Sequence, residues 1–280
     1  MFSRLISTLV LWTVILGSLY FFGTHAAVAL LAILATLTLH EFYGLTEKMG
    51  ARPFRWMGLL FCGLMIGAPY YLACFTEEPD VLGSIPSGLL VLALVVSSIR
   101  VLGERNAANR VETVAATMGG LLYIPYLLHF LVRILMREAD AGENLTLCLW
   151  TVVVAKFCDV GALLTGLAVG KHQMAPEISP KKTWEGAVGG VLVSAGIGAA
   201  IAYCLPSQLP ESLTPRVAAL VAVPLAIIAI ISDLLESAIK RRADTKDTGR
   251  LIPGIGGAFD LTDSLILTAP VAYFIFLFLE

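Results

Sequence analysis

Charge is what this sequence has least of. Asp, Glu, Lys and Arg make up 14% of its 280 residues, where a soluble domain averages about 25%. That shortage excludes an ordinary water-soluble globule, and a hydrophobic content of 58% points the same way. Cysteine is sparse and unpaired. Cys62, Cys74, Cys148, Cys158 and Cys204 lie in or near apolar runs with no C-x-x-C spacing, so they read as small buried hydrophobes rather than a disulfide framework or a zinc site. The four histidines, His25, His40, His129 and His172, are far apart, and a His cluster would need tertiary contact. Long linkers and internal repeats are also missing, so residues 1–280 read as a single membrane domain. A net charge of −2 gives no reason to expect a nucleic-acid partner.

What is present is one apolar run after another. About 20 apolar residues cross a bilayer as a helix. The stretches that qualify are Leu5–Phe22, Ala26–Tyr43, Trp56–Phe75, Ile85–Leu102, Val114–Arg133, Leu145–Val169, Trp184–Leu205, Val217–Ile239 and Leu261–Leu279. The expected fold class is all-α: a polytopic membrane helix bundle of about nine transmembrane helices. The first run has the length of a span rather than of a signal core, and reads as uncleaved.

Lys and Arg set the expected orientation. With the N-terminus cytoplasmic, fifteen of the 19 cations fall on the cytoplasmic side. Only Arg133, Arg137 and Arg216 face outward, and Lys156 lies inside a run. Two inward loops stand out, from Gly170 to Thr183 and from Lys240 to Asp260. The working surface is expected there.

Several charges lie where a membrane helix should have none. Asp233 precedes Lys240 by seven residues, roughly 10 Å along a helix. An acid at mid-span costs on the order of 3 kcal/mol. Glu236, Ser237 and Lys240 share its helix face, which must look into protein or a wet cavity. An internal ion pair of Asp233 or Glu236 with Lys240 is the bland explanation. Asp260 and Asp263 open the last run. Either can serve as a helix N-cap, but together with Asp233 they favour a hard cation such as Mg²⁺. Gly254, Gly256 and Gly257 precede them and let a substrate approach. In SPKKTWEGAVGG, Ser179 to Gly190, Lys181 and Lys182 stand just before a helix start that Thr183 can cap. Gly186 and Gly190 have the spacing of close helix packing. The lysines alone are equally explained as orientation signals. Lys156 and Asp159, three apart, read as an intramembrane ion pair.

These residues carry a resemblance. Ser237-x-Ile239-Lys240-Arg241-x4-Lys246-Asp247-x-Gly249, then Leu251–Gly257, Asp260 and Asp263, resembles the C-terminal motif of the phosphatidate cytidylyltransferases. Ser179–Gly186 and Asp159–Ala162 are similar to two further blocks of that family. The likeness covers roughly residues 150 to 280. It departs at Ile255, where many members have His, at Leu261, where many have Arg, and at Leu163, where Tyr is frequent.

The resemblance implies transfer of a cytidylyl group from CTP to phosphatidic acid, giving CDP-diacylglycerol and pyrophosphate. It implies Asp233 and Asp260 as principal metal ligands, with Asp263 and Asp247 as further candidates. Asp233, Lys240, Lys246, Asp247 and Asp260 become candidate catalytic residues. Ser179, Lys181, Lys182, Thr183, Ser237, Arg241, Gly256 and Gly257 become candidate substrate contacts. The cofactor implied is Mg²⁺, with room for a second cation. Residues 146–280 form the expected catalytic region, and 1–145 carry helices without an assigned role. The expected location is the inner (plasma) membrane with the site facing the cytoplasm. Glycine-rich helix faces allow a homodimer. An ion-coupled carrier and a plain membrane scaffold are the rival readings, and pyrophosphate release separates the enzyme from both.

Overall fold

The computed structural model describes residues 2–73, 75, 79–103, 110–245, 248–249 and 256–279. These are helical nearly throughout, apart from one two-stranded antiparallel sheet. The chain forms two compact units: Met1–Val132 with Arg242–Thr262, and Arg133–Arg241 with Asp263–Glu280.

In the first unit, α1 (Phe2–Lys48) joins the two leading apolar runs. Gly23 interrupts it with φ 52° and ψ −128°, a backbone state that glycine reaches without steric cost. It is followed by α2 (Arg55–Leu72), α3 (Pro79–Leu102), α4 (Arg110–Tyr123) and the start of α5 (Pro125–Leu135). The expected run Val114–Arg133 is thus split before Pro125. Proline has no N–H to donate and pushes the residue before it out of helical geometry. Tyr43 ties three helices together. Its hydroxyl donates to the Thr117 carbonyl at 2.9 Å, and its ring fills the notch left by Gly58 and Gly120, where a methyl group would lie 2.6 and 2.5 Å from ring carbons.

The second unit is built on α6 (Ala141–Val169) and α7 (Trp184–Cys204), joined by the hairpin β1 (Gln173–Ala175) and β2 (Ser179–Thr183). α8 (Pro215–Arg242), through Arg241, and α9 (Ala258–Leu279), from Asp263 on, complete it, while the first turn of α9 belongs to the first unit. Asp140 caps α6 by accepting from Gly142 N–H at 2.9 Å. Thr183 caps α7 by accepting from Gly186 N–H at 3.1 Å. Both caps satisfy N–H groups that have no partner within their own helix. Small residues let α6 and α7 touch backbone to backbone: a methyl on Gly186 would lie 2.8 Å from the Ala162 carbonyl, and one on Gly190 2.6 Å from that of Cys158. Van der Waals contact of this kind holds helices together where lipid removes the hydrophobic drive.

Polarity is turned inward. Leu163, Leu167, Leu192 and Leu220 are each more than 60% exposed, while Thr151, Ser194, Ser232 and Glu236 are buried. Among the described residues, seven helical stretches are long and apolar enough to cross a membrane: Ile15–Lys48, Gly83–Leu102, Arg110–Leu135, Ala141–Val169, Trp184–Cys204, Pro215–Arg242 and Ala258–Leu279. The protein is a multi-pass helical membrane protein.

Candidate functional site

The hairpin between α6 and α7 presents the lysines. Its register pairs Gln173 with Thr183 and Ala175 with Ser179. One residue of β1, Met174, therefore faces three of β2: Pro180, Lys181 and Lys182. In a regular strand, neighbours point to opposite faces. A bulge breaks that alternation and re-aims side chains. Here it lets Lys181 and Lys182 line the same cavity of about 220 Å³, together with Asp159, Thr183, Gly186 and Asp233. Pro180 fits the bulge because it has no N–H to lose from the ladder.

Acids converge beneath the lysines. Asp233 and Glu236 come from α8 and Asp263 from α9, and one carboxylate oxygen from each lies within 4.8 Å of the others. Ser232 sets the two helices in register. Its hydroxyl donates to the Asp263 carbonyl and accepts from Leu267 N–H at 3.4 Å. Those are the two ends of one α-helical hydrogen bond of α9, so Ser232 locks α8 onto α9 at Asp263.

Each acid has a lysine. Lys182 lies 2.5 Å from Asp233, Lys240 lies 2.7 Å from Glu236, and Lys156 lies 2.9 Å from Asp263 and 3.7 Å from Asp159. Of the expected pairings of Lys240, the one with Glu236 is formed. Lys156 is drawn to Asp263 more closely than to its neighbour Asp159. Charge buried in a low-dielectric setting must be compensated nearby, and these pairs supply that compensation.

Three convergent carboxylate oxygens are hard donors of the kind Mg²⁺ takes, so Asp233, Glu236 and Asp263 fit a divalent cation. Asp260 is not one of the three. Its carboxylate accepts from Gly257 N–H at 2.8 Å and from the Thr248 hydroxyl at 3.2 Å. Gly256 stands just before with φ +122°, and a methyl there would lie 2.8 Å from the Asp260 carboxylate. Both conditions require glycine.

Ser179 opens β2 and Ser237 lies half-buried one turn after Asp233. Arg241 donates through Nε to the Ile178 carbonyl at 3.1 Å, which joins the end of α8 to the hairpin turn. Lys246 and Asp247 lie outside the described residues. Two residues of this neighbourhood are not among the site residues expected from sequence. Glu236 sits on the polar face of α8, and Lys156 read as a local ion pair. Their unusual feature was legible, an ionisable group inside an apolar run, but their partners were not.

Lysines and carboxylates thus meet at one cavity of an inward-polar helical membrane unit. The chain belongs to the cytidylyltransferase family, whose profile matches residues 2–279. It is 31% identical over 252 residues to the phosphatidate cytidylyltransferase of Thermotoga maritima, covering 88% of this chain and 86% of that protein. It is 39% identical over 161 residues to that of Rickettsia felis, covering 56% and 68%, and 34% identical over 173 residues to that of Mycobacterium bovis, covering 62% and 54%. The alignments with the mycobacterial proteins thus span about half of their length.

Proposed function

We propose that this protein is a phosphatidate cytidylyltransferase: it transfers the cytidylyl group of CTP to phosphatidic acid. A phosphate oxygen of the lipid attacks the α-phosphorus of CTP. The bond from that phosphorus to the bridging oxygen of the β-phosphate breaks, pyrophosphate leaves, and CDP-diacylglycerol forms. The observation that carries this reading is the placing of Lys181, Lys182 and Asp233 around one cavity, in a chain whose relatives bear that name.

The obstacle to the reaction is repulsion between two anions. Positioning and charge neutralisation do most of the work in phosphoryl-type transfers. Lys181 and Lys182 hold phosphate oxygens at the cavity. Lys240 and Arg241, at the end of α8, add positive charge for the nucleotide phosphates. Ser179, Thr183 and Ser237 donate hydroxyl hydrogen bonds. Asp233, Glu236 and Asp263 hold a divalent cation, Mg²⁺ by its preference for oxygen donors. When bound, that ion neutralises phosphate charge and stabilises the leaving pyrophosphate. On the family resemblance, Lys246, Asp247, Asp260, Gly256 and Gly257 take part in the same chemistry, and a second cation belongs with it. No side-chain nucleophile is needed, because the lipid phosphate is already ionised.

The N-terminus is assigned to the cytoplasm from the distribution of Lys and Arg, and about nine crossings from the apolar runs. The inner membrane as location and a homodimer as assembly complete the proposal. The deciding test is the purified protein with labelled CTP and phosphatidic acid vesicles. Labelled CDP-diacylglycerol and stoichiometric pyrophosphate support the proposal. Their absence, in protein that folds and binds neither substrate, overturns it.

A further inference from the structure

The start of α9 is capped in an unusual way. A helix leaves its first N–H groups without partners, and an N-cap side chain normally accepts one of them. The residue before α9 is Gly257, which has no side chain. The missing oxygen comes from α1 instead: Glu41 accepts from Phe259 N–H at 2.9 Å. Asp260 supplies the reciprocal half by reaching back to Gly257 N–H at 2.8 Å, as the third residue of a capping box does.

The glycines make room for this arrangement. A methyl group on Gly257 or on Gly249 would collide with the Glu41 carboxylate. Glu41 is 9% exposed, in a helix otherwise rich in apolar residues. The hydroxyls of Thr38, one turn earlier in α1, and Thr262 meet at 3.1 Å, fixing the same two helices. An acid so placed inside an apolar run marks function more often than accident.

We propose that Glu41 is a positioning residue: it caps α9 from a neighbouring helix, in place of the side chain Gly257 lacks, and thereby holds Asp260 and Gly257 in their working arrangement. The chemistry served is the transfer proposed above, and the inference rests on that reading. It gives the N-terminal helices a part in the reaction.

The test compares Glu41→Ala with Glu41→Gln in purified full-length protein, by kinetics and by hydrogen exchange of peptides covering Ala258–Thr262. Loss of a typical cap, about 1 kcal/mol, corresponds to about fivefold in the local opening equilibrium. Glu41→Ala is expected to speed exchange in the first turn of α9 by that factor and to lower kcat at least as much, leaving KM for CTP nearly unchanged. Glu41→Gln keeps an acceptor oxygen, and its exchange and kcat stay close to those of the unsubstituted protein. Unaltered exchange in Glu41→Ala overturns the proposal. Equal damage in both variants also overturns it, because charge rather than an acceptor would then be needed. If Glu41→Ala fails to fold, Glu41→Asp, one methylene shorter, takes its place with the same expectations. Inactive unsubstituted protein would sink the transfer reading, while the exchange comparison would still judge the cap.

Discussion

Lys182 and Asp233 meet at 2.5 Å although 51 residues separate them in the chain, and each is about a quarter exposed. The hairpin supplies one partner and α8 the other. Removing the lysine strands an acid beside apolar helices. Breaking a fully buried pair costs about 3–5 kcal/mol, and partial exposure lowers that to about 1–3 kcal/mol. Lys182→Met is therefore expected to lower the detergent melting temperature and to reduce turnover by more than about tenfold. Lys182→Arg keeps the charge but not the compact ammonium, and should recover the melting temperature better than the rate. Melting curves and pyrophosphate release on the same preparations check this.

The three convergent carboxylates should be unequal to an isolated acid when substituted. Asp233→Asn, Glu236→Gln and Asp263→Asn each remove one anionic oxygen donor from the group. Each is expected to raise the Mg²⁺ concentration needed for half-maximal activity by about tenfold or more. Titration of Mg²⁺ at fixed CTP measures it. Three variants with the Mg²⁺ response of the unsubstituted protein would remove the cation from this cluster.

Chelation should act on rate before it acts on fold. The acids already have Lys182, Lys240 and Lys156 as counter-charges, so the helices do not depend on a metal to offset buried charge. Excess EDTA is expected to stop product formation, with the melting temperature shifting by only a few degrees. Added Mg²⁺ should restore the rate.

Packing of α6 on α7 gives a prediction with its own control. Gly190→Val places atoms into the Cys158 carbonyl and the Ala162 side chain, whereas a methyl on Gly196 meets nothing within 4 Å. Gly190→Val should lose about 1–3 kcal/mol. Gly196→Ala should be neutral or slightly stabilising. Thermal unfolding in detergent distinguishes them.

Local features were the legible ones. Thr183 as a cap, and Gly186 and Gly190 as contact points, depend on neighbours within one turn. The apolar runs marked the helices by length alone. The break at Gly23 falls between the first two runs, whereas the one before Pro125 came out differently from the run boundaries, because hydropathy does not register a backbone dihedral. The site was legible as a set of residue types and not as a set of partners. Lys156 read as paired with Asp159, three residues away, but Asp263, 107 residues on, is the closer. Glu41 carried a signal that went unused, a single acid in the second apolar run. Its partner, a backbone N–H of Phe259, leaves no trace in a list of side chains.

The hairpin bulge also constrains how this loop can vary. Removing two of Pro180, Lys181 and Lys182 would restore even pairing with β1, and at most one of the two lysines would then remain. Composition in the turn beyond Ala175 can drift, but the spacing from Ser179 to Thr183 works as a ruler. Length as well as identity is what this segment has to preserve.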